Sequence, residues 1–193
     1  MSNSSEHRHF ILHKPYGYLS QLINNQTRRK NKKLLGELHE FPDGSMAIGR
    51  LDETSEGLLL LTTDGKVSEQ IRSQNVEKEY YTQVDGIIDA AAIDKLQNGI
   101  SISVDGKKYM TKSCKVFHVE SIDHLPIADR KVRDERHGPT SWLGLILTEG
   151  KFRQVRKMTA AVGFPTLRLV RIRIGNIVLQ QKAGEVVEVK TFL

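Results

Sequence analysis

The stretch GRLDETSEGLLLLTTDG, residues 49–65, sets one aspartate, Asp52, between an arginine-leucine pair and four consecutive leucines. A short apolar run bounded by glycine and Asp-Gly signals has the length of a strand rather than a helix. Leu58, Leu59, Leu60 and Leu61 are therefore expected to form a strand buried on both faces, since no polar residue alternates with them. Asp52 then falls in the loop that feeds this strand. Two readings of such an aspartate stand side by side. It can cap a turn by accepting bonds from nearby backbone N–H groups, or it can be a reactive carboxylate that a buried strand holds in place. Gly49 and Gly57, which bracket the loop, permit close approach of a ligand to the backbone.

Working outward, HFILHKPYGYLSQLI reads as a strand, a Pro-Tyr-Gly turn and a second extended segment. The next stretch brings Arg28, Arg29, Lys30, Lys32 and Lys33 together with no acid among them, which predicts a basic loop. After the leucines, Asp64-Gly65 signals a turn, and KVSEQIRS a short helix. KEYYTQVDGI alternates as a strand. DAAAIDKLQNG has an aspartate N-cap, good helix formers and a closing glycine. SISVDGKKYM is a hairpin across Asp-Gly. Residues 121–139, charged and aperiodic, are expected to form a surface excursion, followed by the strand SWLGLILTEG. Val155, Met158 and Val162 then recur at helical spacing until Gly163 and Pro165 end the helix. LRLVRIRIGNIVL alternates apolar residues with Arg168, Arg171 and Arg173, and the adjacent Leu169 and Val170 predict a β-bulge. Strands and helices mixed without regular alternation favour an α+β fold.

The chain has 193 residues, with 29 Lys and Arg against 23 Asp and Glu, a net charge of +6. That balance suits a polyanionic partner but also a soluble protein that is merely basic, so clustering has to decide. Between Gly150 and Arg173 stand Lys151, Arg153, Arg156, Lys157, Arg168, Arg171 and Arg173 without one acid. With the apolar side of the helix turned inward, Arg153, Arg156 and Lys157 point to another surface, where they can hold phosphates. A single cysteine, Cys114, excludes an intrachain disulfide and a cysteine-built zinc site and fits a reducing compartment. The polar N-terminus has no secretory core and no run reaches membrane-spanning length, so a cytoplasmic protein without membrane contact is expected. His7 and His9 lie in a polar tail where a metal site is not expected.

Four motifs, KPYGYLSQ, GRLDETSEGLLLLTTDG, KEYYTQVDG and LTEGKFRQVRKM, resemble in chain order the landmark motifs of the RsuA-type pseudouridine synthases. The resemblance covers nearly the whole chain. It implies an α+β pseudouridine synthase catalytic domain, a central mixed, mostly antiparallel sheet flanked by helices. That domain would span 9–193, with two sub-lobes around an active-site cleft behind a flexible polar tail at 1–8. Most relatives carry an S4-type RNA-binding domain ahead of the first motif; with 13 residues before Lys14, none is expected here. The implied activity is isomerisation of a specific uridine in large-subunit rRNA, without cofactor or metal, and the expected state is a monomer.

By the motif match Asp52 corresponds to the family's nucleophile. Desolvation favours a neutral carboxyl, so a cation must keep such a nucleophile ionised, and the match offers Arg156. Tyr80 corresponds to the tyrosine that packs on the target base. Stacking suits it better than proton transfer, because an ordinary phenol with a pKa of about 10 is a poor base at neutral pH. A plain strand aromatic is its alternative reading. The target nucleotide has to leave its stack, and Arg50 is placed to fill the gap or to contact the flanking backbone. Lys14, Arg50, Arg153, Lys157, Arg168, Arg28, Arg29 and Lys30 are the expected RNA-binding residues. Two other classes are consistent with parts of the pattern: a non-catalytic RNA-binding or assembly protein, and a nucleoside glycosidase, disfavoured because such enzymes usually pair two carboxylates.

Overall fold

The computed structural model describes residues 6–23, 31–73, 75–126, 128, 130–133 and 135–192. Arg28, Arg29 and Lys30 of the expected basic loop lie outside them. In chain order the elements are β1 (His9–Lys14), β2 (Tyr18–Leu19), β3 (Lys33–Leu34), β4 (Met46–Ile48), β5 (Glu56–Thr62), α1 (Gly65–Ser73), β6 (Lys78–Asp85), α2 (Ala90–Asn98), β7 (Ser101–Val104), β8 (Lys107–Met110), β9 (Lys115–His118), β10 (Thr140–Leu147), α3 (Gln154–Ala161), β11 (Thr166–Ile174), β12 (Ile177–Val178) and β13 (Val186–Val189), with short 3₁₀ turns at Leu35–Glu37 and Glu135–His137. The chain forms two compact units, one from the described residues of Met1–Val76 and Ile177–Leu193, the other from Glu77–Asn176.

In the first unit β1 lies between β13 and β5, and β4 pairs with β5, all antiparallel. The short β2 and β3 pair in parallel, which makes the fold mixed. Every residue of β5 is buried. Leu59 and Leu61 join Phe10, Leu12 and Leu35 in one core, while Leu58 and Leu60, on the other face, are buried as completely. Each such leucine contributes about 1.5–3 kcal/mol of burial, so β5 is a well-packed anchor for the loop before it. Asp64, expected to end the strand in a turn, instead opens α1: its Oδ1 accepts from the N–H of Lys66 at 2.8 Å. Arg8, expected in a flexible tail, is tied to the sheet edge by a bidentate pair with Glu188, at 2.6 and 2.8 Å.

The second unit is an antiparallel run β11, β6, β10, β9, with the hairpin β7–β8 beside it. Its core gathers Val84, Leu96, Leu143, Leu145, Val155, Met158 and Leu169 from strands and from α2 and α3. Asp89 caps α2, accepting from the N–H of Ala92 at 2.7 Å, and Gly99 at φ 95° ends it. A Cβ on Gly99 would collide with the backbone carbonyl of Thr111, so this closure depends on glycine. β11 is irregular as expected, but its register shifts fall between Thr166 and Arg168 and between Arg171 and Arg173, on either side of the expected slip. Described residues of the 121–139 excursion are tied to the unit: Arg168 Nη2 donates to Pro126 O at 2.9 Å, Arg130 Nη2 to Leu167 O at 2.8 Å, and Arg133 pairs with Asp85. No helix among the described residues is long and apolar enough to cross a membrane.

Candidate active site

Asp52 sits half-buried in the first unit, in a turn closed by the bond from Ser55 N–H to its own carbonyl at 3.0 Å. The loop is fastened on both sides of the aspartate. Before it, the buried Ser20 hydroxyl receives the N–H of Leu51 at 2.9 Å and donates to the Leu51 carbonyl at 2.8 Å. After it, the Glu53 carbonyl accepts from Gly17 N–H at 2.8 Å, and the Glu53 carboxylate pairs with Lys32 at 2.5 Å. Gly49, at φ 72°, makes the left-handed bend that admits the chain to this loop. Ser55 and Glu56 are buried where the loop passes into β5. Arg50, by contrast, is exposed. It lines a cleft of about 260 Å³ with Ser20, Gln21, Ser45 and Met46.

Lys14 departs from its expected role. It is fully buried, and its ammonium donates to the carbonyls of Pro15 at 2.9 Å and Tyr18 at 2.7 Å, with Glu53 O at the long limit of 3.5 Å. An ammonium taken out of water needs acceptors for its three donors, and backbone carbonyls supply them. Lys14 therefore binds the Pro-Tyr-Gly turn to the Asp52 loop and does not present its charge to a phosphate.

In the second unit Tyr80 lies on β6, half-buried and packed against the core, opposite Leu145 on one side and Arg171 on the other. The α3 entrance is built around Glu149. Its carboxylate accepts from Tyr109 OH at 2.5 Å, from the N–H of Lys112 at 2.9 Å and from Gln154 Nε2 at 2.5 Å. Burial pushes this carboxyl up, but the three hydrogen bonds together hold it below the ordinary value. Gln154 also accepts from Lys151 N–H at 2.9 Å, closing the turn with a helix-start bond. The closed turn forces Arg153 into the left-handed region, at φ 53° and ψ 35°. That conformation costs a non-glycine residue about 1–2 kcal/mol. Lys151, Phe152 and Arg153 stand exposed, while Arg156 and Lys157 are half-buried on the first turns of α3.

The remaining arginines of the acid-free run face elsewhere. Arg168 is 5% exposed, donates to Pro126 O and lies 6.0 Å from the Trp142 ring centroid. It is held inside the unit, which overturns its expectation as an RNA contact. Arg171 is 4% exposed. Arg173 donates to Glu79 at 2.7 Å and Glu77 at 2.9 Å, bonds that raise its pKa further. The single basic face read from sequence is thus a basic patch around the α3 entrance and a set of internal strand arginines. Sequence reading did not single out Glu149, Gln154 or Phe152; a glutamine opening a helix three residues after Lys151 was the available signal for the closed turn.

Comparison with known proteins fixes the class of this chain. The family model described as RNA pseudouridylate synthase matches residues 8–161. The chain belongs to that family, and the protein is a pseudouridine synthase, an isomerase. Ribosomal large subunit pseudouridine synthase E of Xanthomonas axonopodis pv. citri (strain 306) is 41% identical over 168 residues, covering 86% of this chain and 85% of that protein. The synthase E of Vibrio parahaemolyticus serotype O3:K6 (strain RIMD 2210633) is 41% identical over 173 residues, 88% of this chain and 68% of its own. A crystal structure of a pseudouridylate synthase superposes with a TM-score of 0.74 at 25% identity, over 98% of this chain and 73% of that one.

Proposed function

We propose that this protein converts one uridine of large-subunit rRNA into pseudouridine, with Asp52 as the nucleophile. The carrying observation is the Asp52 loop: a half-buried carboxylate whose flanking backbone is bonded through Leu51 and Glu53 and runs directly into the fully buried β5. A nucleophile so held loses little entropy on reaching its reacting geometry. In the reaction the bond from uracil N1 to the ribose breaks, the base turns over, and C5 bonds to the same ribose carbon. C5 gives up a proton and N1 gains one, so atoms and electrons balance within the nucleotide and no oxidant, reductant or group donor is consumed. The match of KEY and RQVR to the family motifs supports Tyr80 as the residue that packs on the uracil and Arg156 as the cation that favours the ionised nucleophile. Arg50, exposed beside the loop, is assigned to the RNA strand around the extruded nucleotide.

The test is pseudouridine mapping on large-subunit rRNA taken from cells lacking this protein and incubated with the wild type or Asp52→Asn. A single new pseudouridine made by the wild type, with turnover by Asp52→Asn reduced at least about a thousandfold and RNA affinity retained, is the expected result. Normal turnover by Asp52→Asn removes the nucleophile assignment. Tight binding by the wild type without modification points instead to a non-catalytic assembly role.

A further inference from the structure

We propose that Phe152 is a stacking platform for an unpaired base of the RNA, with Lys151, Arg153 and Lys157 holding the phosphates beside it. The inference rests on the reading that RNA is the substrate, and it adds a contact that the motif match does not supply. Phe152 is 65% exposed, although burial of an aromatic ring is among the larger gains a chain can make on folding. Its position is not left to chance. Gln154, itself buried, spans the turn from Lys151 N–H to the Glu149 carboxylate, and Arg153 takes up a left-handed backbone to complete it. Strained, over-determined backbone next to a solvent-facing ring is the arrangement found at ligand clamps.

The surroundings name the ligand. Lys157 Nζ lies 5.1 Å from the ring centroid, and Lys151 Nζ lies 4.8 Å from the Tyr109 ring on the other side of the turn. No acidic residue occurs between Gly150 and Arg173. A flat apolar ring among cations is complementary to a base joined to phosphates, and any base will serve because each has a π-face. Double-helical RNA hides its bases, so the ligand is a single-stranded segment or loop. Phe117 makes the contrast clear. It is 37% exposed, but it packs edge-on to Tyr81 at 6.5 Å and covers Gly144, so its ring is already in use. Among the described residues the large exposed hydrophobics other than these two phenylalanines are aliphatic: Ile23, Met46, Ile87, Met110 and Val178.

The experiment compares the full chain with Phe152→Ala, Phe152→Leu and Phe152→Trp in binding a short fluorescein-labelled oligouridine and a duplex RNA of equal length over a salt series. Base stacking of ordinary strength predicts that Ala and Leu weaken oligouridine binding about tenfold while Trp retains it. Duplex affinity and the salt slope stay unchanged in all three, because no charge is removed. In a Trp142→Phe background, the emission of Phe152→Trp is quenched when oligouridine binds. Wild-type affinity in Phe152→Ala, equal retention by Leu and Trp, absence of quenching, or a wild type that binds no oligouridine each overturns the proposal. Pseudouridine mapping with the same preparations separates the two readings. A wild type that makes no pseudouridine yet loses oligouridine affinity on Phe152→Ala refutes the synthase assignment and keeps the platform; a wild type that modifies rRNA while Phe152→Ala binds oligouridine unchanged refutes the platform alone.

Discussion

Lys151 and Arg153, at the entrance to α3, stand in water, whereas Arg168 and Arg171, on β11 of the same unit, are 5% and 4% exposed. Both pairs belong to one stretch without an acid, and nothing in the local composition tells them apart. The difference is what surrounds each backbone. The loop before α3 is closed by Glu149 and Gln154 in a way that turns its side chains outward. On β11, which pairs with β6, Arg168 is held by Pro126 O and the Trp142 ring and Arg173 by Glu77 and Glu79. An arginine on a strand inside a sheet can therefore be a structural staple, and its charge then contributes nothing to the capture of a polyanion.

The contrast is open to being broken. Replacing Arg173 by Met strands the Glu79 carboxylate, whose side chain is 14% exposed, and is expected to lower the unfolding free energy by about 3 kcal/mol, as removal of one partner from a poorly solvated pair does. Urea unfolding measures it, and a loss below about 1 kcal/mol would mean that Arg173 behaves as a surface charge after all. A paired comparison sharpens the division further. Arg168→Met should cost about 2 kcal/mol of stability and leave the salt dependence of RNA binding as it was. Lys151→Gln combined with Arg153→Asn, asparagine tolerating the left-handed backbone, should change stability by less than about 0.5 kcal/mol per site. The slope of log affinity against log salt should become shallower by about 1.4–1.8. Equal salt slopes for the two variants would erase the distinction between the regions.

The smallest effect expected concerns pH. The Glu149 carboxyl is held below its ordinary value, so the folded state binds that proton more weakly than the unfolded state. Its contribution is present above the unfolded carboxylate pKa of about 4.3 and is lost as pH falls through the lower folded value. Thermal melting of Glu149→Gln should therefore show a shallower loss of stability below about pH 4.3 than the wild type, although the variant is less stable at neutral pH. Parallel acid profiles would show that the Glu149 bonds at the α3 entrance are not what acid disrupts.

Local patterns foretold most elements because the forces behind them are local. Four leucines without polar alternation can only be buried on both faces, as β5 is. An aspartate ahead of helix formers caps α2 wherever the helix packs, and Asp105-Gly106, with φ values of 49° and 76°, turns the β7–β8 hairpin. Asp64-Gly65 misled because the same dipeptide serves a turn or a helix cap, and only the chain that follows decides between them. Among the proposed site residues, Asp52, Tyr80 and Arg156 are put forward by ordered motifs, and Arg50 by its place beside Asp52. Lys14 and Arg168 were misassigned, since a cation in a sequence carries no mark of its solvent exposure.

By itself the sequence determined the family, the α+β class, the three helices, most of the strands though not β3, β9 or β13, and which aspartate stands next to the core, because each of these follows from residue type and spacing along the chain. Tertiary structure alone decided that the Lys14 ammonium turns inward to backbone carbonyls, that Arg168 and Arg173 staple a unit together, and that Phe152 stays in water beside Lys157. Those outcomes depend on segments distant in sequence: Glu53 for Lys14, Pro126 for Arg168, and Glu77 and Glu79 for Arg173. Burial and hydrogen-bond satisfaction are properties of the assembled neighbourhood, and a charge acquires its role only when that neighbourhood exists.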